Sequence, residues 1–251
     1  MDRRIEGPVI PPPGSARPAD YVFLLRPTIL IPVWTFYLLG AAHAATGAGG
    51  ILPSPLLLAG LASFTALLGS AYILNQIHDR ASDRVNNKLF LVSHRIIGLR
   101  AAYLEAALLA AASMATAWLL MPRSFFTVVM ASLLLGVLYS APPVRLKGRP
   151  FLDILANAAG SGLLNTAAGW IAAGGSGEGY IVLLPYPLAV AAVHLVTTVA
   201  DLEGDSRAGL RTTGVFLGRR ATMVSAVACM AAASAAAAWV DNRPAMFASL
   251  L

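Results

Sequence analysis

Long apolar stretches alternate with short polar connections along the chain. Seven of these stretches are long enough to form the ~20 helical residues that cross a ~30 Å hydrocarbon core. They cover about residues 22–45, 53–74, 97–121, 124–140, 151–173, 180–200 and 221–240. A further stretch, AMFASLL, could begin an eighth span near the C-terminus. The stretches are rich in Ala and Leu and lack the two-residue alternation of strands, so they predict an all-α, polytopic transmembrane helical bundle.

Composition supports a membrane protein. Hydrophobic residues make up 57% of the 251 positions and the mean hydropathy is +0.70. Charged residues make up 12%, against roughly 25% in soluble domains. Residues 1–20 carry arginines, prolines and glycines in place of an apolar run, which predicts a flexible cytoplasmic tail instead of a cleaved signal peptide. We expect residues 21–251 to form a single transmembrane domain.

The basic residues are distributed unevenly between the two ends of the predicted spans. Sixteen of the eighteen lysines and arginines precede the first span or lie in alternate connections, and only Arg123 and Arg243 fall on the opposite face. Lysine and arginine accumulate in cytoplasmic loops of membrane proteins. The pattern therefore predicts a cytoplasmic (inner) membrane protein with its N-terminus and its basic connections in the cytoplasm. It explains the net charge of +6 without nucleic acid as a partner.

The second span ends in a polar segment, NQIHDRASDR, with three side chains at helical spacing. Asn75, Asp79 and Asp83 are four residues apart, so they form one stripe that rises ~6 Å per step along a helix. Two carboxylates at this spacing repel each other unless a cation or a hydrogen-bond donor relieves them. Taken alone, the segment is equally compatible with a solvated helix end whose acids pair with Arg80 and Arg84.

A second acidic pair favours a shared site. Asp201 and Asp205 end the sixth span, and each lies 122 positions after its counterpart, Asp79 or Asp83. Four crossings separate the pairs, so both are expected at the same membrane face. Facing carboxylate pairs among lysines and arginines suit Mg²⁺ that bridges to a diphosphate and polarises it as a leaving group. The sequence contains none of four common site motifs: an EF-hand loop, a Walker loop, a zinc-spaced Cys/His set or a G-x-S-x-G elbow.

Four segments in order resemble the landmarks of the UbiA superfamily of intramembrane prenyltransferases. NQIHDRASDRVN and DLEGDSRAGLRTTGVFLG are similar to its two aspartate-rich motifs, LYSAPPVRLKGRPFLD to the segment between its fourth and fifth helices, and LLRPTIL to its first helix. The resemblance implies about nine helices around a central cavity, with cytoplasmic cap segments near residues 78–96 and 201–218. Because the chain has about seven spans, we expect the last one or two family helices to be missing or short.

The resemblance also implies an activity and a set of site residues. The activity is Mg²⁺-dependent transfer of a prenyl group from an isoprenyl diphosphate to a small, often aromatic acceptor within the membrane, with release of diphosphate. The implied catalytic residues are Asp79, Asp83, Asp201, Asp205 and Tyr139. The implied diphosphate-binding residues are Asn75, Arg26, Lys88, Lys147 and Arg211, and the implied metal ligands are Asn75, Asp79, Asp83, Asp201 and Asp205.

The sequence departs from the family pattern at two places. Apolar residues follow the first motif where many relatives have Arg-Pro, and Thr197 and Thr198 stand where many have Lys-Asp before the second motif. These differences predict an atypical acceptor or donor. His194, one turn earlier, could be a base that orients the acceptor or a hydrogen-bonded structural histidine. Asn157 and Asn165 could line the cavity or bond neighbouring helices.

Two other functions are compatible with acids at the ends of membrane spans. A terpene cyclase on the same scaffold would quench the allylic cation within its own chain instead of with an acceptor. An ion-coupled transporter could also use intramembrane carboxylates, but transporters usually place them near the bilayer midplane in broken helices. Here the acids cluster at predicted helix ends, which favours the prenyltransferase.

Overall fold

The computed structural model describes residues 11–45, 54–85, 89–175 and 177–248, and this part of the chain is mainly helical, without strands. The α-helices are α1 (Pro18–Leu24), α2 (Pro27–Ala44), α3 (Pro55–Val85), α4 (Phe90–Ser93), α5 (Leu99–Leu120), α6 (Arg123–Ser140), α7 (Leu152–Asn157), α8 (Asn165–Ala172), α9 (Pro185–Ala200), α10 (Leu202–Arg207), α11 (Thr213–Trp239) and α12 (Arg243–Ala248). Six described helical runs are long and apolar enough to cross a membrane: α2, α5, α6, α11, most of α3, and Gly179–Ala200, which contains α9.

The first predicted span is divided into two helices. Arg26 separates α1 from α2 and has a left-handed backbone with φ 57°. Pro27 then occupies the first position of α2, where a missing N–H costs no helical hydrogen bond. Before α1, the Gly14 N–H donates to the Arg95 carbonyl at 3.0 Å. The break leaves Arg26 at the N-terminal end of the transmembrane helix α2. A hydropathy pattern cannot reveal such a break, because the break depends on the φ angle of one residue.

The fifth predicted span is continuous in space but changes its helical geometry. The π-helical turn Ala158–Leu164 joins α7 to α8, so helix extends from Leu152 to Ala172. This stretch is the seventh apolar helical run of the described chain. π-turns inside α-helices occur mostly at functional sites. Here the turn brings Gly160 and Ser161 to the wall of an internal cavity.

Close helix contacts fix the bundle around that cavity. A Cβ added to Gly169 of α8 would lie 1.7 Å from the Tyr37 carbonyl oxygen of α2, and one added to Gly40 would lie 1.9 Å from the Thr166 carbonyl oxygen. Only glycine allows backbones to approach so closely, as in other membrane helix pairs. Phe64 and Phe125 fill the core beside Tyr37. The α2–α8 pair therefore forms a rigid wall.

One end of the bundle gathers the polar segments. The C-terminal ends of α3, α6 and α9 meet the start of α7 and the segment between α10 and α11 around a common cavity. At the other end, the His43 imidazole hydrogen-bonds the Tyr186 hydroxyl at 2.7 Å, and α12 begins where the possible eighth span was expected. Residues 249–251 of that stretch lie outside the described chain.

Candidate active site

The two acidic motifs line a single cavity of about 200 Å³, which we call the mouth cavity. It is lined by Asn75, Asp79, Tyr139, Lys147, Asp153, His194, Thr197, Thr198, Asp201, Asp205, Leu210 and Thr212. Four of the five predicted metal ligands are in this set. Asp83 lies one turn further along α3 and does not line the mouth cavity, but its charge acts on Arg26 and Lys147. Residues 122 positions apart are thus brought together by the fold.

Two cations from the connection between α6 and α7 meet Asp79. Arg145 Nη2 donates to Asp79 Oδ1 at 3.0 Å, and Lys147 Nζ forms an ion pair with Asp79 Oδ2. The Lys147 side chain is buried, and burial lowers its pKa whereas the Asp79 carboxylate acts in the opposite direction. Lys147 was expected at the site from the sequence. Arg145 was not, although its position two residues before Lys147 in a basic segment was the available signal.

The second motif is held by the segment that follows it. The Thr212 hydroxyl donates to Asp205 Oδ2 at 3.1 Å, and the Asp205 N–H donates to the Asp201 carbonyl at 2.8 Å. The next residue, Thr213, donates its N–H to Asp153 Oδ2 at 2.8 Å and its hydroxyl to Asp153 Oδ1. Asp153 is 1% exposed. It ties the start of α7 to the start of α11, a role that the sequence did not reveal.

The donor set fits a metal that is shared with a diphosphate. Among the described residues, no three His, Cys, Asp or Glu side chains are placed to hold a metal ion by themselves. Mg²⁺ usually binds one or two carboxylates and completes its shell with water and phosphate oxygens. The carboxylates of Asp79, Asp201 and Asp205 and the amide of Asn75 provide oxygen donors around a cavity with room for such a group.

A larger cavity of about 490 Å³, which we call the main cavity, extends from the mouth into the bundle. Its walls combine apolar residues such as Ile29 and Leu135 with the mouth residues Tyr139 and Asn75. Arg26 also lines it. Burial lowers the pKa of Arg26, an effect opposed by nearby Tyr72 and by the Asp83 and Asp79 carboxylates. The mouth and main cavities share Asn75, Tyr139 and His194 in their linings, so the charged mouth adjoins a larger space of mixed polarity.

A third cavity of about 200 Å³, which we call the side cavity, lies between α2 and α9. Pro32 and Phe36 of α2 and Val193 of α9 line it, and Val193 is 57% exposed, so this cavity reaches the outer, apolar surface of the bundle. Asn157 lines both the main and side cavities. Asn165 lines the side cavity and also donates from Nδ2 to the Val33 carbonyl at 3.0 Å, so it serves both expected purposes.

Two of the predicted phosphate contacts are not placed in these cavities. Lys88 lies outside the described residues. Arg211 is exposed on the segment before α11 and lines none of the three cavities. Glu203, between the second-motif acids, is also exposed and pairs with Arg207 at 3.5 Å. Among the described residues, Lys147 lines the mouth cavity beside Asp79, Asp201 and Asp205, Arg26 lines the main cavity, and Arg145 reaches the mouth cavity only through its contact with Asp79.

Comparison with known proteins identifies related sequences along most of the chain. Residues 33–251 match the UbiA prenyltransferase family. A lycopene elongase/hydratase of Haloarcula japonica is 30% identical over 218 residues, which cover 85% of this chain and 69% of the relative. A homogentisate phytyltransferase of Synechocystis sp. is 31% identical over 226 residues, covering 83% and 71% of the two chains.

Solved structures share the same architecture. A UbiA homolog from Archaeoglobus fulgidus, bound to GPP and Mg²⁺, superposes with a TM-score of 0.81 at 26% identity and covers 92% of this chain and 84% of that one. The same homolog bound to DMAPP and Mg²⁺ gives a TM-score of 0.78 at 27% identity, with the same coverage. The predicted all-α transmembrane bundle is confirmed by this likeness and by the helices described above.

Proposed function

The chain belongs to the UbiA prenyltransferase family, and from that premise we propose that it uses Mg²⁺ to transfer a prenyl group from an isoprenyl diphosphate to an acceptor dissolved in the membrane. The chain is an integral, multi-pass membrane protein. The homolog structures that contain GPP or DMAPP together with Mg²⁺ support the donor and the metal. The uneven distribution of basic residues supports a cytoplasmic position for the mouth cavity.

One observation carries this proposal: both acidic motifs and a buried lysine line a mouth cavity, and this cavity adjoins a larger one whose walls include apolar side chains. Asp79, Lys147, Asp201 and Asp205 line the mouth, and Tyr139 lies where it joins the main cavity. An isoprenyl diphosphate has the same division, with a highly charged head and an apolar tail. The head would occupy the mouth while the tail extends into the bundle.

Fixed charges in the mouth would lower the barrier to ionisation. As the bond between C1 and the diphosphate oxygen breaks, negative charge grows on the leaving group, and the cations Lys147, Arg145 and Arg26 stabilise it more than they stabilise the substrate. Mg²⁺ held by Asn75, Asp79, Asp83, Asp201 and Asp205 would supply Lewis-acid stabilisation of the same leaving group. Asp79 in turn keeps Arg145 and Lys147 in place through its two ion pairs.

The allylic cation that remains needs protection from water. Apolar side chains of the main cavity, including Ile29 and Leu135, would keep water away from the part of the cation that they contact. Tyr139 lines the junction of the mouth and main cavities, where the reacting carbon would lie, and an aromatic ring can stabilise a cation. We therefore assign Tyr139 to the reaction centre.

The side cavity suggests how the acceptor arrives. Because it reaches the apolar surface between α2 and α9, an acceptor could pass from the bilayer to the main cavity without crossing water. Lycopene and homogentisate are the acceptor-type molecules in the relatives' names, one a polyene and one aromatic. Both are therefore suitable probes of acceptor class.

The proposal is tested with purified protein, geranyl diphosphate, Mg²⁺ and either lycopene or homogentisate. We expect diphosphate release and a prenylated acceptor by mass spectrometry. Asp79→Asn and Asp201→Asn should each reduce release at least ~100-fold, the scale of losing one fixed electrostatic contact to a transition state. Glu203→Gln is the matched control because it removes the same charge from α10 outside the cavity.

Two results would contradict the proposal in different ways. Unchanged diphosphate release in both aspartate variants would exclude the assigned site. A cyclised hydrocarbon or alcohol, formed without any acceptor, would instead identify a terpene cyclase on this scaffold.

A further inference from the structure

His194 occupies the junction of the three cavities. Its imidazole, near the end of α9, lines the mouth, main and side cavities. Of the described residues that line the side cavity, the titratable ones are His194 and Tyr72. A tyrosine has an ordinary pKa near 10 and is protonated at neutral pH, whereas a neutral histidine can accept a proton there. His194 is therefore the side chain best suited to proton transfer where an acceptor would meet the prenyl group.

The hydrogen-bond partners indicate which ring nitrogen carries the lone pair. Asn157 Nδ2 donates to the Asp153 carbonyl oxygen at 3.0 Å, and this contact fixes the orientation of the amide. The same Nδ2 lies 3.1 Å from the Tyr139 hydroxyl oxygen and 3.3 Å from His194 Nε2. An amide nitrogen only donates, so Nε2 faces it with its lone pair, and it shares the two amide hydrogens with the nearer Asp153 carbonyl and Tyr139 hydroxyl.

The other ring nitrogen faces a hydroxyl that can accept its hydrogen. The Thr197 hydroxyl donates to the His194 carbonyl oxygen at 2.7 Å, so its lone pairs remain for His194 Nδ1, 3.5 Å away. The consistent arrangement is a neutral imidazole with hydrogen on Nδ1 and a lone pair on Nε2. The 3.3 Å contact at Nε2 is long, so a substrate hydrogen could replace it.

We propose, building on the proposed function, that His194 is the base that removes the proton from an acceptor seated in the side cavity. The C1–O bond breaks and its electron pair leaves with diphosphate, while π electrons of the acceptor form the new bond to C1. The acceptor carbon then loses a proton to Nε2, and the C–H electron pair restores the acceptor's double bond or aromatic ring. The imidazolium passes its proton to the aqueous mouth cavity, which His194 also lines.

Neighbouring groups support this step without replacing His194. Asn157 holds the ring through Nε2, and Thr197 holds it through Nδ1. The Nε2 lone pair becomes available to a substrate hydrogen when the long contact with Asn157 is broken.

The experiment compares wild-type protein with His194→Ala, using geranyl diphosphate, Mg²⁺ and either lycopene or homogentisate. We expect acceptor turnover to fall at least ~100-fold, the usual scale of general-base catalysis. Mg²⁺-dependent binding of geranyl S-thiolodiphosphate and the thermal unfolding midpoint should stay at wild-type values. Added imidazole should restore turnover to His194→Ala, whereas pyrrole, a ring of similar size without a basic nitrogen, should not. His94→Gln is the matched histidine control, because His94 follows α4, bonds to the Ser93 hydroxyl and lines none of the three cavities.

Three outcomes would overturn this inference. The first is wild-type acceptor turnover in His194→Ala. The second is equal rescue by imidazole and pyrrole, or rescue by neither, because packing and not basicity would then explain the loss. The third is wild-type protein that transfers no prenyl group to either acceptor, in which case the proposed function fails first and this step fails with it.

Discussion

Lys147 is a buried cation that meets an acidic motif and faces the proposed diphosphate position. Its removal should weaken the enzyme in the ground state and the transition state, because the diphosphate is charged in both. We expect Lys147→Gln to lower kcat/KM for geranyl diphosphate about 10- to 100-fold, the range for a charge-assisted hydrogen bond. Steady-state kinetics at fixed Mg²⁺ measures this.

Arg149→Gln is the control for Lys147, since Arg149 lies two residues away, is exposed, and its side chain donates to the Pro143 carbonyl oxygen at 3.3 Å. It should keep wild-type kinetics. If Lys147→Gln has the wild-type kcat/KM, the diphosphate does not lie against Lys147.

The sequence predicted which candidate site residues come together when they lie on regular helices. It did not predict contacts that depend on turns. Asp79 and Asp201 come together because helical spacing and span counting relate their positions. Arg145 was missed because its contact with Asp79 depends on a left-handed backbone, φ 43°, in a connection. Position 211 is an arginine, the residue type expected for a phosphate contact, but it is exposed on the segment before α11. The bonds of Asp153 to Thr213 could not be predicted from the sequence, because they depend on how two helices distant in the chain meet.

The starts of α7 and α11 are joined by one buried carboxylate. Asp153→Ala would leave the Thr213 N–H and hydroxyl, and the Ile154 N–H, without their acceptor. The expected loss is about 3 kcal/mol, since buried donors lose a charged partner. Thermal unfolding in detergent should show a lower midpoint. Glu203→Ala, which removes an exposed helical acid paired with exposed Arg207, should leave the midpoint unchanged, and equal midpoints for both variants would contradict this role.

The α2–α8 contact depends on glycine. Gly169→Ala would place a Cβ 1.7 Å from the Tyr37 carbonyl oxygen, so the two helices would have to separate. We expect a loss of about 1–3 kcal/mol, the usual cost of overpacking, seen as a lower unfolding midpoint. Gly160→Ala is the matched control, because its Cβ would lie 3.4 Å from Leu135 Cδ2, an ordinary contact. A similar midpoint for both variants would show that this approach is not needed.

Helix existence followed from the hydrophobic pattern, whereas helix interruptions did not. Seven apolar stretches correspond to seven helical runs in the described chain. The break at Arg26 and the π-turn Ala158–Leu164 lie inside predicted spans, because apolar windows average over the backbone angles of single residues. Both interruptions border the main cavity. The positions that sequence patterns described least well are therefore those that shape the site.

The proposed orientation of the whole molecule is tested by labelling from each membrane face. In a Cys229→Ser background, cysteines replace the exposed Arg84, Arg149 or Arg243, one at a time. A membrane-impermeant maleimide should label the first two in vesicles that expose the cytoplasmic face, and Arg243→Cys only in vesicles of opposite orientation. Labelling of all three from one face would contradict the topology that the basic residues predict.

In the proposed function, two acidic motifs that lie 122 positions apart hold one metal–diphosphate group. Crystals grown with geranyl S-thiolodiphosphate and Mn²⁺, which takes the same oxygen donors as Mg²⁺, would test it by anomalous diffraction. We expect bound metal in the mouth cavity. A carboxylate oxygen of Asp79, and one of Asp201 or Asp205, should lie about 2.1 Å from the metal, the usual Mg²⁺–oxygen distance. Metal bound by one motif alone, or by neither, would contradict it.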